Sequence, residues 1–187
     1  TNLSKYTDIK IQTVLDPVFL LDENDWSEIE EPMNIKKPYL LNYGMVGGKR
    51  YYDIFKKIRK NLCLDVVNIN LLPFNKFKAD YSITDMSPGN FIWLLRNADF
   101  VYTGSFHGTA FSIIFEKQFL SIPADNRNSR HKSLLEQLGL DERLIQDDNS
   151  HYDASQILNI NYNKIKLKLN QLKIESILYL KNSIKND

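Results

Sequence analysis

The sequence predicts an α/β fold, a parallel sheet with helices on both faces, and three observations lead to it. Short Val-, Ile- and Leu-rich runs at residues 38–45, 62–72, 99–104 and 119–123 read as buried strands. Segments with a helical apolar period lie between them. Strands alternating with helices of this length require crossovers, and crossovers give parallel pairing with right-handed connections.

Each element has its own signal. Residues 38–45 (PYLLNYGM) form a continuous apolar run that ends near Gly44. Tyr51, Ile54, Phe55, Ile58 and Leu62 then recur on one helix face. Residues 62–72 make the second strand, with Cys63 inside its apolar run. Ser87-Pro88 is a helix start, a serine cap followed by proline at the first helical position, and Phe91, Leu94, Leu95 and Ala98 are its apolar face. The strand at 99–104 (DFVYTG) leads into residues 106–117, apolar nearly all round and so a buried helix. The strand at 119–123 and a helix at 131–138 closed by Gly139 complete the unit.

The chain divides into a linker or docking segment at 1–35, an α/β domain at 36–154 and a C-terminal helix at 155–187. In the first segment Asp16-Pro17 and Glu31-Pro32 should break helices, and the run from Val18 to Leu21 is long enough only to dock. In the last, Leu158, Tyr162, Ile165, Leu169 and Leu172 form one stripe, and Leu167, Ile174 and Leu178 a second. Two stripes imply a helix that touches more than this domain.

Composition excludes several classes. With 187 residues, 43% of them hydrophobic, the chain can bury a core as one domain. A net charge of +1 argues against nucleic acid as a partner. The single cysteine, Cys63, fits a reducing compartment, and a cytoplasmic location is expected. No apolar run approaches the roughly 18 residues that span a bilayer. The first residues, TNLSKYTDIK, have no signal-peptide pattern and no methionine, which suggests a processed or trimmed chain. No cluster of Asp, Glu, His or Cys has metal-ligand spacing, so neither metal nor cofactor is expected. The Lys-rich stretch from Lys164 to Lys185 is a solvated helix face, or else leans on an anionic membrane or a lipid-linked acceptor.

The sharpest feature is Thr103-Gly104-Ser105-Phe106-His107-Gly108-Thr109, placed where a strand ends and a buried helix begins. In open α/β sheets ligands bind at such strand ends. A helix N-terminus there offers free N–H groups and about half a positive charge. Gly104 and Gly108 permit close backbone approach, Ser105 and Thr109 add hydroxyls, and His107 can exchange a proton near neutral pH. The competing reading is a tight turn, with Ser105 as N-cap and His107 as a core residue. Arg127 and Arg130 follow the next strand in the loop DNRNSR, so they too fall at a strand's carboxyl end; arginine binds carboxylate and phosphate bidentately. A solvated loop is the alternative. Tyr43 and Gly44 end the first strand and face the same cleft, although Tyr43 suits packing equally well. Arg143 is expected to cap a turn, His131 to be exposed, His151 to be inert, Asp85 to serve turn chemistry, and Trp26 and Trp93 to pack.

The segment VYTGSFHGTAFSIIFEKQF resembles the signature of the polysaccharide pyruvyl transferase family. The resemblance extends through LDPVFLL at 15–21, PYLL at 38–41 and Ser87-Pro88 with Phe91. It continues to Arg127, Arg130, Ser133-Leu134-Leu135, Leu138-Gly139-Leu140 and Arg143, or roughly residues 14–145. It implies a Rossmann-like domain that is the carboxyl-terminal half of a GT-B-type two-domain enzyme. It also implies transfer of a pyruvyl group from phosphoenolpyruvate, as donor substrate, to a sugar or lipid-linked glycan of a cell-surface polysaccharide. His107 matches the motif histidine; Ser105 stands where some branches carry arginine, so either the guanidinium comes from elsewhere or the donor differs. The implied partner is an amino-terminal domain or a second copy of the chain, and the isolated chain is expected to be inactive. Alternatives are a glycosyltransferase donor domain that takes a nucleotide sugar, and a non-catalytic module.

Overall fold

The computed structural model describes residues 6, 11–44, 49–69, 78–123, 128–145 and 159–185. The strands are β1 (Tyr39–Tyr43), β2 (Asp65–Ile69), β3 (Tyr81–Ile83), β4 (Phe100–Thr103) and β5 (Gln118–Ser121). They form a sheet in the order β3-β2-β1-β4-β5. Every pair is parallel, with Tyr43 opposite Ile69 on one side and Thr103 on the other.

Helices cover both faces. Helix α2 (Lys49–Leu62) sets Ile54, Phe55 and Ile58 against Leu40, Val66, Phe100, Tyr102 and Leu120. On the other face α3 (Pro88–Asn97) and α4 (Phe106–Ile114) pack on Tyr39, Leu41, Val67, Val101 and Phe119. Adjacent strand residues serve opposite faces, so a strand buried on both reads as an unbroken apolar run. Each fully buried Phe, Leu, Ile or Val contributes about 1.5–3 kcal/mol.

The expected elements stand where the patterns put them, with shifted ends. Ser87 caps α3 in a reciprocal box with Asn90. Helix α4 stops near Ile114 rather than at Lys117. Glu116 takes φ +54, and the amides of Glu116 and Lys117 bond back to Ile113 and Ser112 in a Schellman turn. Gly139 closes α5 (Ser129–Leu138) in the same way at φ +71. Cys63 is exposed at φ +53 just past α2, so the second strand starts at Asp65, not Leu62. Residues 45 and 70–72, the ends of two expected strands, lie outside the described residues.

The first segment is more ordered than its prolines suggest. Pro17 starts a 3-10 helix, Pro17–Leu20, with the Asp16 side chain as its cap. Asp22 caps the short helix α1 (Glu23–Ser27). Phe19 is buried in the main core, and the Trp26 indole donates to the Val18 carbonyl while its ring meets Phe111 edge-on. Val18 and Phe19 therefore pack on this domain itself, whereas Leu21 is exposed.

Helix α6 (Tyr162–Lys185) buries one stripe and exposes the other. Tyr162 and Ile165 are in the core, with Leu169 and Leu172 packed against it. Leu167, Ile174 and Leu178 are exposed, and Leu158 lies outside the described residues. The Tyr162 hydroxyl donates to the Lys117 carbonyl at 2.5 Å, and burial pushes its pKa up. Ser176, also buried, receives the Leu15 amide at 2.9 Å, which ties the segment before Asp16 to the C-terminal helix.

Candidate active site

From β1 the chain moves outward to β2 and β3, then returns across β1 to β4 and β5. The connections therefore diverge between β1 and β4. At their carboxyl ends they leave a crevice, the usual ligand position in such sheets. Tyr43-Gly44 and Thr103-Gly104-Ser105 form its walls.

The turn is built for close approach. A Cβ on Gly104 would lie 2.4 Å from the Gly44 carbonyl oxygen and 2.9 Å from that of Ile122. A Cβ on Gly108 would lie 2.3 Å from Thr103 Oγ1. Gly44 itself sits at φ +68, which glycine adopts without strain. Thr103 is the strut: its hydroxyl donates to the Tyr43 carbonyl at 2.8 Å and accepts the Ser105 amide at 3.1 Å. Ser105 caps α4, its Oγ accepting from the Gly108 amide at 3.3 Å. The next two amides of the first turn, those of Phe106 and His107, have no intrahelical acceptor. They make up the positive end of the helix dipole.

Above this turn stand three charged or titratable groups from three elements. His107, on the first turn of α4, has a side chain 52% exposed, so it is not a core residue. Arg130, on the first turn of α5, lies with its guanidinium 4.0 Å above the Phe106 ring. Between them is Asp16, whose Oδ2 accepts from Arg130 Nη2 at 2.8 Å and whose Oδ1 is 4.0 Å from His107 Nε2. The cluster combines a cation suited to a carboxylate or phosphate with an imidazole able to exchange a proton.

The structure gathers Tyr43, Gly44, Ser105, His107, Gly108 and Arg130 at this edge. Tyr43 also packs edge-on against Phe91. The Thr109 hydroxyl points inward, bonded to the Ser105 carbonyl and to Ser121 Oγ, so it ties β5 to α4. Arg127 and His151 lie outside the described residues. His131, expected to be exposed, is buried, its ring 5.6 Å from that of Phe106. Arg143 is buried within a short 3-10 helix. Asp85 is exposed. Trp93 is buried and Trp26 packs against the core. Asp16 is a site residue that the sequence pattern does not reveal. Asp-Pro reads locally as a helix start or break, and only the fold brings it to His107. Among the described residues, no group of three or more His, Cys, Asp or Glu is placed to hold a metal ion. None of their helices is long and apolar enough to cross a membrane.

Comparison with known proteins adds the family. The profile described as "Polysaccharide pyruvyl transferase" matches residues 2–126. The match starts earlier and ends earlier than the stretch 14–145 carried by the motifs, leaving Arg127, Arg130 and Arg143 beyond it. No curated protein matches the sequence. Among solved structures the chain is similar to the spinosyn forosaminyltransferase SpnP, with 12% identity and a TM-score of 0.50, covering 95% of this chain and 48% of SpnP. It is also similar to the dodecameric iron-containing heptosyltransferase TibC, solved with ADP-D-β-D-heptose. There the identity is 14% and the TM-score 0.43, over 83% of this chain and 49% of TibC. The fold thus resembles one half of a GT-B-type two-domain enzyme, and the chain spans about half the length of the structures it matches.

Proposed function

Because the chain belongs to the polysaccharide pyruvyl transferase family, we propose that its strand-end crevice binds phosphoenolpyruvate and helps transfer the pyruvyl group to a sugar. The observation that carries this reading is the exposed His107 on the first turn of α4, with Arg130 beside it and the Ser105-capped amides beneath. The donor carries a phosphate and a carboxylate. A helix N-terminus and a guanidinium are the two groups proteins most readily use for such anions.

The chemistry needs a proton at the enol methylene and removal of protons from sugar hydroxyls. Protonation of that carbon makes C2 electrophilic, and a first sugar hydroxyl adds there and loses its proton. The C2–O bond to phosphate then breaks, inorganic phosphate leaves, and a second hydroxyl adds to close the ketal and loses its proton. His107 is the group we assign to proton transfer, with Ser105, Gly108 and Arg130 on the donor; Arg127 is assigned there from sequence alone. The acceptor is a sugar or lipid-linked glycan on the route to a cell-surface polysaccharide. A reaction that draws on phosphoenolpyruvate, an intracellular metabolite, belongs in the cytoplasm. An amino-terminal domain or a second copy supplies the opposite wall of the cleft, so this chain alone should be inactive.

The test is phosphate release from phosphoenolpyruvate with a mixed pool of sugar acceptors, run on this chain and on any longer gene product. Acceptor-dependent release by the longer protein, with none from the 187-residue chain, is the expected result. Equal rates from both would refute the half-site reading. Binding of a nucleotide sugar instead of phosphoenolpyruvate would turn the assignment to a glycosyltransferase donor domain.

A further inference from the structure

Asp16 is an acidic side chain at a site read as binding an anion, and that mismatch needs an explanation. The segment that carries it is held firmly. Leu15 before it is buried and donates its amide to Ser176 Oγ. The Asp16 carbonyl accepts the Phe19 amide at 3.0 Å, and Oδ1 accepts the Val18 amide at 3.3 Å. With the side chain 17% exposed, against 52% for His107 and 60% for Arg130, it is the most enclosed of the three. Its distances to the two partners are unequal. At 2.8 Å the bond to Arg130 is formed, whereas 4.0 Å to His107 is beyond hydrogen-bond reach.

We propose that Asp16 is a positioning residue with two alternating partners. In the empty site it holds the Arg130 guanidinium; when an anion takes that guanidinium, the carboxylate turns to His107 and fixes the imidazole through its Nε2–H. The identity of the anion rests on the pyruvyl-transfer reading, but the exchange of partners does not. Arg130 can change its hydrogen-bond partner without moving because Phe106 holds it from below. A guanidinium has five N–H donors, and an incoming carboxylate or phosphate engages two at once. Asp16 uses Nη2 through a single oxygen and should lose that competition. A carboxylate on one imidazole nitrogen fixes the tautomer and ring orientation that proton transfer at the other requires. Donor binding would thereby prepare the acid–base group.

Three probes, phosphoenolpyruvate, inorganic phosphate and pyruvate, are titrated by NMR into the 187-residue chain and its variants. Asp16→Asn keeps the acceptor for the Val18 amide but loses the charge. It should bind the anions about two- to fivefold more tightly, the scale of an exposed ion pair removed from competition. Arg130→Gln should weaken binding about tenfold or more. A downfield His107 Nε2–H resonance should appear on saturation of the wild type and stay absent in Asp16→Asn. In Arg130→Gln it should be present without any anion, and this variant decides the matter even if Asp16→Asn fails to fold. Weaker anion binding in Asp16→Asn, or no such resonance in either saturated wild type or Arg130→Gln, overturns the proposal. If phosphate and pyruvate behave as expected while phosphoenolpyruvate does not bind, Asp16 keeps this role and the donor assignment falls.

Discussion

Replacing Thr103 by valine tests whether the site turn is held by a single hydroxyl. Thr103 is fully buried, and valine matches its shape. The substitution removes the bond to the Tyr43 carbonyl and the acceptor of the Ser105 amide. The carbonyl keeps a partner, since the Gly104 amide also reaches it at 3.1 Å. The half-buried Ser105 amide loses its acceptor, and an unsatisfied donor costs up to about 1–3 kcal/mol where water does not replace the bond. A methyl replaces the oxygen that lies against Gly108, where a side chain on that glycine would not fit, so added strain pushes the cost toward the upper end. For a chain of this size each kcal/mol moves Tm by about 2–4 °C, which gives a fall of about 4–12 °C. Thermal and urea unfolding of wild type, Thr103→Val and Thr103→Ser provide the measurement. The serine variant keeps the hydroxyl and loses one methyl, worth about 0.8 kcal/mol. A valine variant within about 1 °C of wild type, or more stable than the serine variant, would refute the strut.

Three further outcomes are expected. Gly104→Ala should cost about 1–3 kcal/mol by overpacking against two backbone oxygens, whereas Gly139→Ala, with open space but φ +71, should cost nearer 1 kcal/mol; chemical denaturation ranks them, and the reverse order would contradict the contacts. His107→Ala should leave stability within about 0.5 kcal/mol and lower turnover in the complete enzyme by about 10²–10⁴; a large loss of stability would point to a structural histidine. Asp22 is held below its ordinary value of 3.8, chiefly by the Asp25 amide. Its ionised form therefore adds stability that is present above that value and lost as pH falls through the folded one. Asp22→Asn keeps the cap acceptor but cannot ionise, so its deficit against wild type in urea midpoints should shrink between about pH 6 and about pH 2.5. A constant deficit would exclude the charge.

Legibility in the sequence followed the range of the interactions involved. The strands β1, β2, β4 and β5 announce themselves because both faces are buried, and α4 because its neighbours enclose it. The edge strand β3 does not, since its three residues are half-buried or exposed and carry no run. The Ser105 cap and the Gly139 turn are local and readable. His131 is hidden by Phe106 from a different helix, which no local pattern around it records. Asp16 is the same case at greater distance: its partner Arg130 is 114 positions along the chain. The motif around His107 located the crevice, but the order of strands was needed to show that the connections diverge there.

The bond between the Leu15 amide and Ser176 spans 161 positions of sequence. During synthesis Asp16 leaves the ribosome well before Ser176. The strands and the glycine turn precede α6 along the chain, and the segment bearing the carboxylate, although Phe19 seats it in the core, lacks its tie to Ser176 until α6 arrives. Because Tyr162 and Ile165 of α6 are themselves core residues, closing this long loop completes the core and the site together. A chain cut short before α6 would present Asp16 without this tie, so full assembly of the charged cluster waits for that helix.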